Sequence, residues 1–174
     1  MESDAEGSLP KIFNELVMQA QLRKCPRLRV TRSCDGAGMS ILGTILIHPK
    51  VLSMPEAVQR YVLAHELGHY RHRDSWNLFL SWFSLVVGSY VLWATPETHA
   101  FSWLFMMMWE SVFVFGLGSY RNRQEMRANQ FAGQLIGRDT VLDGIRAVAG
   151  YMWPGKPLSK ERMARIREVE TLCR

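Results

Sequence analysis

Two histidines four residues apart, His65 and His69, with Glu66 beside the first, form the cluster in this chain whose spacing is that of a reactive centre. On a helix, residues i and i+4 project from one face a turn apart, so both imidazoles reach toward the same point. H-E-x-x-H is the pattern of zinc hydrolysis: the imidazoles hold the metal and the carboxylate takes a proton from activated water. The bland alternative is an ordinary helix whose histidines belong to its surface or core. A catalytic zinc needs a third protein ligand and one position left open. Glu125 is the first acidic residue after the apolar segments that follow the motif. Its i+4 neighbour Asn129 can accept the outer N–H of a ligating imidazole and so fix its tautomer. Asp74, just past the motif helix, is the rival third ligand, and His48 reads as a strand-end residue.

These groups need elements to hold them. Val58, Tyr61, Val62, Leu63 and Leu67 give the motif helix a broad apolar face, so it should be largely buried. Ser53, Pro55 and Glu56 form a capping-box signature for its start, and it should run to about Arg73. Gly68 lacks a side chain, which lets another element come close to the metal. Upstream, Leu28 and Val30 alternate with polar residues as in a half-buried strand, residues 34–38 read as a turn, and Ile41 to Ile47 read as a second strand. That second strand, if it lies at an edge, could align a peptide by β-augmentation. Leu9, Ile12, Phe13, Leu16, Val17 and Ala20 predict an amphipathic helix from about 9 to 24, packed on the domain rather than docked on a membrane surface.

Trp76 to Ala94 contains no charged residue, and its 19 positions span about 28 Å as a helix, close to the bilayer core. Residues 95–99 form a break, and Ala100 to Gly118 is a second apolar run carrying only Glu110. A chain of 174 residues could scarcely bury two helices apolar all round, so a transmembrane hairpin is expected. Arg71 and Arg73 precede it, Arg121, Arg123 and Arg127 follow it, and the intervening loop has neither Lys nor Arg; the positive-inside rule places both ends in the cytoplasm. Trp76, Tyr90, Trp93 and Tyr120 suit interfacial belts, and Glu110 at mid-span should face a partner, a cavity or another subunit. Past the hairpin, Asp139 should cap a helix to about Gly150, and Ser159 should open a last helix with Met163, Ile166 and Val169 on one face.

Composition narrows the classes. The net charge is +5, but the basic residues are spread along the chain with no aromatic–basic cluster, so no nucleic-acid partner is expected. Cys25, Cys34 and Cys173 lack metal-type spacing and read as free thiols of a reducing compartment. The first eight residues are polar and acidic, without the apolar core of a signal peptide.

The run Tyr61 to His69, an apolar hairpin, and then Glu125-x-x-Ala128-Asn129 resemble the HtpX and CAAX-prenyl-protease type of membrane gluzincin metallopeptidases. That family's E-x-x-A-D element is matched except that Asn129 replaces the aspartate. Residues 156–163 are similar to its H-P-x-x-x-x-R-[IM] segment, with Lys156 where a histidine is usual. His69 to Asp74 is also similar to the H-x-x-R-x-D ending of the membrane metallopeptidase domain of β-lactam sensors. Both resemblances imply the same zinc chemistry: Zn2+ on His65, His69 and Glu125, with Glu66 as general base and Asn129 behind the ligands. Arg162 or Lys156 would steady the tetrahedral oxygen, with Tyr70, Tyr151 and His72 as further candidates.

The expected fold is α+β and mainly helical. It is a minimal zincin-type metallopeptidase domain over residues 1–174, a small sheet plus the motif helix and the Glu helix, interrupted by a two-helix transmembrane hairpin at 76–119. The expected function is a membrane endopeptidase with two spans, and both termini and the site are cytoplasmic. Its partners would be an apolar or membrane-proximal polypeptide substrate and the lipid bilayer. Any enclosed chamber would have to come from a homo-oligomer or not exist. The rival reading is a non-catalytic or self-regulating membrane adaptor with a structural zinc, whose first 25 residues could occlude the cleft.

Overall fold

Leu9, Ile12, Phe13 and Leu16 share one stripe of the first helix, and all four are buried. The computed structural model describes residues 3–34, 36–40, 42–94, 99–152 and the helical positions 163, 164, 166, 167, 169 and 171. The first helix, α1 (Ser3–Gln19), packs on the motif helix α3 (Glu56–His72), with Arg60 reaching across the seam to Glu15 at 2.8 Å and along its own helix to Glu56 at 2.9 Å. It stops five residues before the expected end, and Gln21 turns the chain with φ 47°. Leu9, Ile12, Phe13 and Leu16 belong to the core, and among the described side chains of α1 none lines the metal cleft.

Three short strands form a mixed sheet in the order β1-β3-β2: β1 (Arg27–Val30), β2 (Ala37–Met39) and β3 (Thr44–Ile47). β3 pairs parallel with β1 and antiparallel with β2, in the register Gly38 opposite Leu46. Ile45 and Ile47 are fully buried while Thr44 and Leu46 are half-buried, the period-2 alternation of a strand with one face on the core. The edge position left open for the run ending at Ile47 falls to β2 instead: Ala37–Met39, whose first two residues were expected in a turn, pairs along the free side of β3, which is the central strand. Gly36 and Gly38 disguise that strand, since glycine-rich sequence reads as a turn when no partner is known.

A single helical turn, α2 (Pro49–Leu52), follows, with His48 as its N-cap: the His48 Nδ1 accepts from Lys50 N at 3.1 Å. The expected capping box does not form. Ser53 Oγ donates back to Lys50 O at 2.8 Å, and Pro55 holds the α3 N-cap without a side-chain bond. Residues 49–52 are already helical, so the serine satisfies their end rather than the next beginning.

α3 is buried nearly all round by α1, β2 and two later helices, α5 (His99–Ile136) and α6 (Arg138–Met152). It ends at Arg73, which adopts a left-handed conformation (φ 54°) and donates its backbone N–H to His69 and Tyr70 carbonyls. The chain then turns at once into α4 (Asp74–Ala94). α4 and α5 run antiparallel as a hairpin, with Trp82 against Phe113 (ring centroids 5.9 Å apart) and Gly88 under the Trp109 ring. α5 is continuous: its exposed apolar half passes without a break into a buried half containing Gln124, Met126, Ala128, Asn129, Phe131 and Ala132. Ile166 and Val169 join the same core.

Among the described residues no helix is long and apolar enough to cross a membrane. The expected first span is shortened by the job its start performs. Asp74 is buried, Ser75 Oγ donates to Met39 O at 3.1 Å, and Asn77 Nδ2 donates to His72 O at 3.2 Å, so these turns belong to the folded body. The 17 residues from Leu78 to Ala94 then extend about 26 Å, less than the ~30 Å hydrocarbon core. On α5, Glu110 is exposed within the apolar stretch.

Candidate metal centre and active site

Placing two imidazoles on one helical face is a matter of spacing alone; bringing a third ligand to them needs a second helix at unusually short range. α3 and α5 meet at Gly68 and Ala128, where backbone touches backbone. That contact sets Glu125, one turn earlier on α5, opposite the two histidines. Glu125 Oε2 lies 3.6 Å from His65 Nε2, and Oε1 lies 3.8 Å from His69 Nε2. The two Nε2 atoms are 3.2 Å apart, with the rings at right angles.

The outer ring nitrogens are both engaged. His65 Nδ1 is 2.8 Å from Asn129 Oδ1, and His69 Nδ1 is 2.8 Å from Asp74 Oδ2. An amide oxygen and a carboxylate only accept, so each Nδ1 carries the hydrogen and each Nε2 presents a lone pair. Two lone pairs at 3.2 Å, with a carboxylate alongside, repel one another unless a cation lies between them. A tetrahedral zinc with bonds of about 2.0–2.1 Å separates its donors by about 3.3 Å, which the observed separations bracket. The donor set therefore fits Zn2+. Among the described residues the cluster has three ligands, all within 4.8 Å of one another, which leaves a fourth corner for water or substrate.

Electrostatics agree with a cation site. Burial lowers the pKa of His65, but the neighbouring Glu125 and Glu66 carboxylates and Asn129 outweigh it, so the net shift is upward. The same field that holds a proton on His65 attracts a metal in its place. Burial pushes the Glu66 carboxyl above its ordinary value, although His65 and His69 pull it down. A carboxylate so placed grips a proton more firmly than a solvated one, as a general base requires.

A cavity of about 540 Å³ opens over these groups. His65, Glu66 and His69 form its floor, β2 one wall, and the start of the buried half of α5 together with Ile145 and Val148 of α6 the other. β2 is the sheet edge here. Gly36 O and Ser40 N are bonded toward β3, so by antiparallel alternation Ala37 and Met39 direct their backbone groups away from it; Met39 O accepts from Ser75 Oγ, which leaves the Ala37 backbone groups and Met39 N to the cleft.

The structure thus unites His65, His69 and Glu125 and puts Asn129 behind His65. Asp74, weighed as a rival ligand, is instead the outer partner of His69, with Arg127 3.7 Å from its other oxygen and Gln124 donating to its backbone carbonyl at 3.3 Å. Sequence periodicity hides this contact, because residues five apart do not share a helix face; the left-handed Arg73 folds Asp74 back onto His69. Tyr61, read only as part of an apolar face, donates its hydroxyl to Asn129 Oδ1 at 3.2 Å. Arg121, used above only to orient the hairpin, lines the cleft. Cys34 directs its thiol to the Thr31 and Gly36 carbonyls and is no part of the cluster. Tyr70, His72 and Tyr151 do not line the cavity, and Arg162 and Lys156 lie outside the described residues.

Residues 36–170 match the sequence profile of Peptidase family M48. No curated protein and no solved structure matches the chain.

Proposed function

The chain belongs to peptidase family M48 and is a zinc metalloendopeptidase, and on that premise we propose that Glu66 is its general base and that its substrate is an apolar or membrane-proximal polypeptide. The observation that supports this best is the three-ligand cluster with a large cleft at its open corner. A structural zinc is normally closed by a fourth protein ligand, and none of the described residues supplies one.

His65, His69 and Glu125 would hold the Zn2+, which would supply Lewis-acid polarisation of the scissile carbonyl and a lowered pKa for the attacking water. Glu66 takes the proton from that water and then delivers it to the departing amine. Asn129 and Asp74 keep the two imidazoles in the tautomer that presents Nε2. The edge of β2 lays a substrate strand across the floor by backbone pairing, and the apolar side chains of Met39, Val62 and Ile145 favour apolar residues beside the scissile bond. The negative oxygen of the tetrahedral intermediate is assigned to Arg162 on the strength of its family-like segment.

Residues 76–119 are proposed as an inserted membrane hairpin, with the termini and the cleft on the cytoplasmic side. This is supported by the side chains that α4 and α5 expose: Phe83, Val86, Trp93, Leu104, Val112 and Phe115 are each more than half exposed. Patches of that extent rarely face water. Short apolar stretches are accommodated by local thinning of the bilayer or by association of hairpins, so a homo-oligomer is compatible with them.

The test compares native protein with Glu66→Gln in detergent, measuring zinc content and proteome-wide cleavage. The variant should keep stoichiometric zinc and lose turnover by several orders of magnitude. Native-rate cleavage by it would remove Glu66 from the mechanism.

A further inference from the structure

A second cavity, of about 950 Å³, adjoins the metal cleft at Met39 of β2 and Ser75 of α4, which line both. Arg23 and Lys24, from the segment after α1, and Arg71 and Arg73, at the end of α3, surround it, and all four are exposed. No acidic residue lines it among the described residues, and no ion pair with these four is found there. Arg71 stacks 5.2 Å over the Phe131 ring and donates weakly to Ala20 O, which leaves its charge uncompensated. Like charges gathered without a carboxylate repel one another, and an anion offsets that repulsion.

The other half of the cavity is apolar. Trp76 and Leu80 of α4 line it and are about half exposed, and they begin the apolar surface that continues along the hairpin. Cations therefore stand where the folded body ends, and an aromatic and an aliphatic side chain stand where the hairpin starts. That is the order of groups along an anionic phospholipid, phosphate first and then acyl chain.

We propose that this cavity binds the phosphate of an anionic phospholipid, with the acyl chains laid along Trp76 and Leu80. The inference rests on the membrane-hairpin reading above. Met39 and Ser75 line both cavities and are hydrogen-bonded to each other, so the occupant abuts the same edge strand that borders the metal cleft. A lipid seated here steadies that wall. Charge complementarity selects the lipid over a second copy of the chain, whose own cavity mouth is equally basic.

The experiment is vesicle flotation of the full chain, with phosphatidylcholine alone and with added phosphatidylglycerol. Native protein and the triple variant Arg23→Gln, Lys24→Gln, Arg73→Gln are compared, with zinc content confirming that each is folded. Flotation on phosphatidylcholine alone reads the hairpin, and its absence overturns that reading. The increment from phosphatidylglycerol reads the cavity. Each cation facing an anionic surface contributes about fivefold in affinity, so the variant should lose about a hundredfold of that increment while floating normally on phosphatidylcholine. An undiminished increment in the variant overturns the cavity assignment. Displacement of native protein by inorganic phosphate, at concentrations matching the lipid phosphate, would mark the occupant as a free anion and overturn the lipid.

Discussion

A methyl group built on Gly68 would lie 2.8 Å from the Cα of Ala128 and 2.9 Å from its carbonyl oxygen. Both are backbone atoms of a long helix and cannot rotate away. The distance between the motif helix and the helix bearing Glu125 is therefore set by the absence of one carbon. Gly68→Ala should force the helices apart and destabilise the protein by about 1–3 kcal/mol. Because Glu125 moves with its helix, zinc should be lost to a chelator faster than from native protein, even at temperatures where the variant is folded. Thermal melts with and without zinc check this; an unchanged zinc affinity would mean that the helix spacing does not position Glu125.

Asp74→Asn should weaken zinc binding by about 10–100-fold. The carboxamide oxygen still accepts from His69 Nδ1, so geometry is largely kept, but the charge that makes the imidazole a better donor is gone. Arg127, 3.7 Å from the lost charge, would also be left less compensated. Competition against a calibrated chelator measures the change. A native value would reduce Asp74 to a packing residue.

Asn129→Asp makes the opposite change at the other histidine. A carboxylate at the same 2.8 Å contact with His65 Nδ1 raises the basicity of that ligand, and Tyr61 is placed to donate to the new charge. Zinc should be held about tenfold more tightly. Weaker binding would mean that burying the extra charge outweighs the gain in ligand strength.

The metal-free protein should become less stable as pH rises. Both His65 and Glu66 have folded-state pKa values above their ordinary values of 6.5 and 4.5. Each then binds its proton more tightly when folded than when unfolded. The contribution of His65 is complete below 6.5 and fades as pH climbs through its raised value. Burying the ionised Glu66 adds a penalty over a window that begins at 4.5. Zinc replaces the proton at the cluster and should reverse the trend, binding more tightly as pH rises. Melting temperatures of metal-free and zinc-loaded protein against pH would show this; parallel curves would refute it.

Leu16 is fully buried between α1 and α3. Leu16→Ala should cost about 3 kcal/mol, and deleting α1 should yield unstable protein rather than a faster enzyme. Increased turnover by a folded, truncated chain would restore α1 as an inhibitory segment, against its place in the core.

The amino-acid order alone determined the members of the metal cluster. An i, i+4 pair of histidines on a helix must share a face, and the next acidic residue after an out-and-back hairpin, Glu125, returns to their side. Asn129, one turn on, follows from the same period. Gly68 pointed to a close approach without naming what approaches. These are local relations or consequences of chain reversal, and a repeating backbone geometry makes them legible.

Tertiary structure decided everything that depends on a single dihedral angle or on which partner a group finds first. The left-handed turn at Arg73 brings Asp74 to His69, against the helical period. A glycine-containing stretch became β2, the edge of the sheet, because β3 offered an unfilled side. Ser53 closed the helix behind it instead of opening the one ahead. Such choices turn on competition between alternative hydrogen-bond partners of similar strength, and only the packed molecule fixes which partner is within reach.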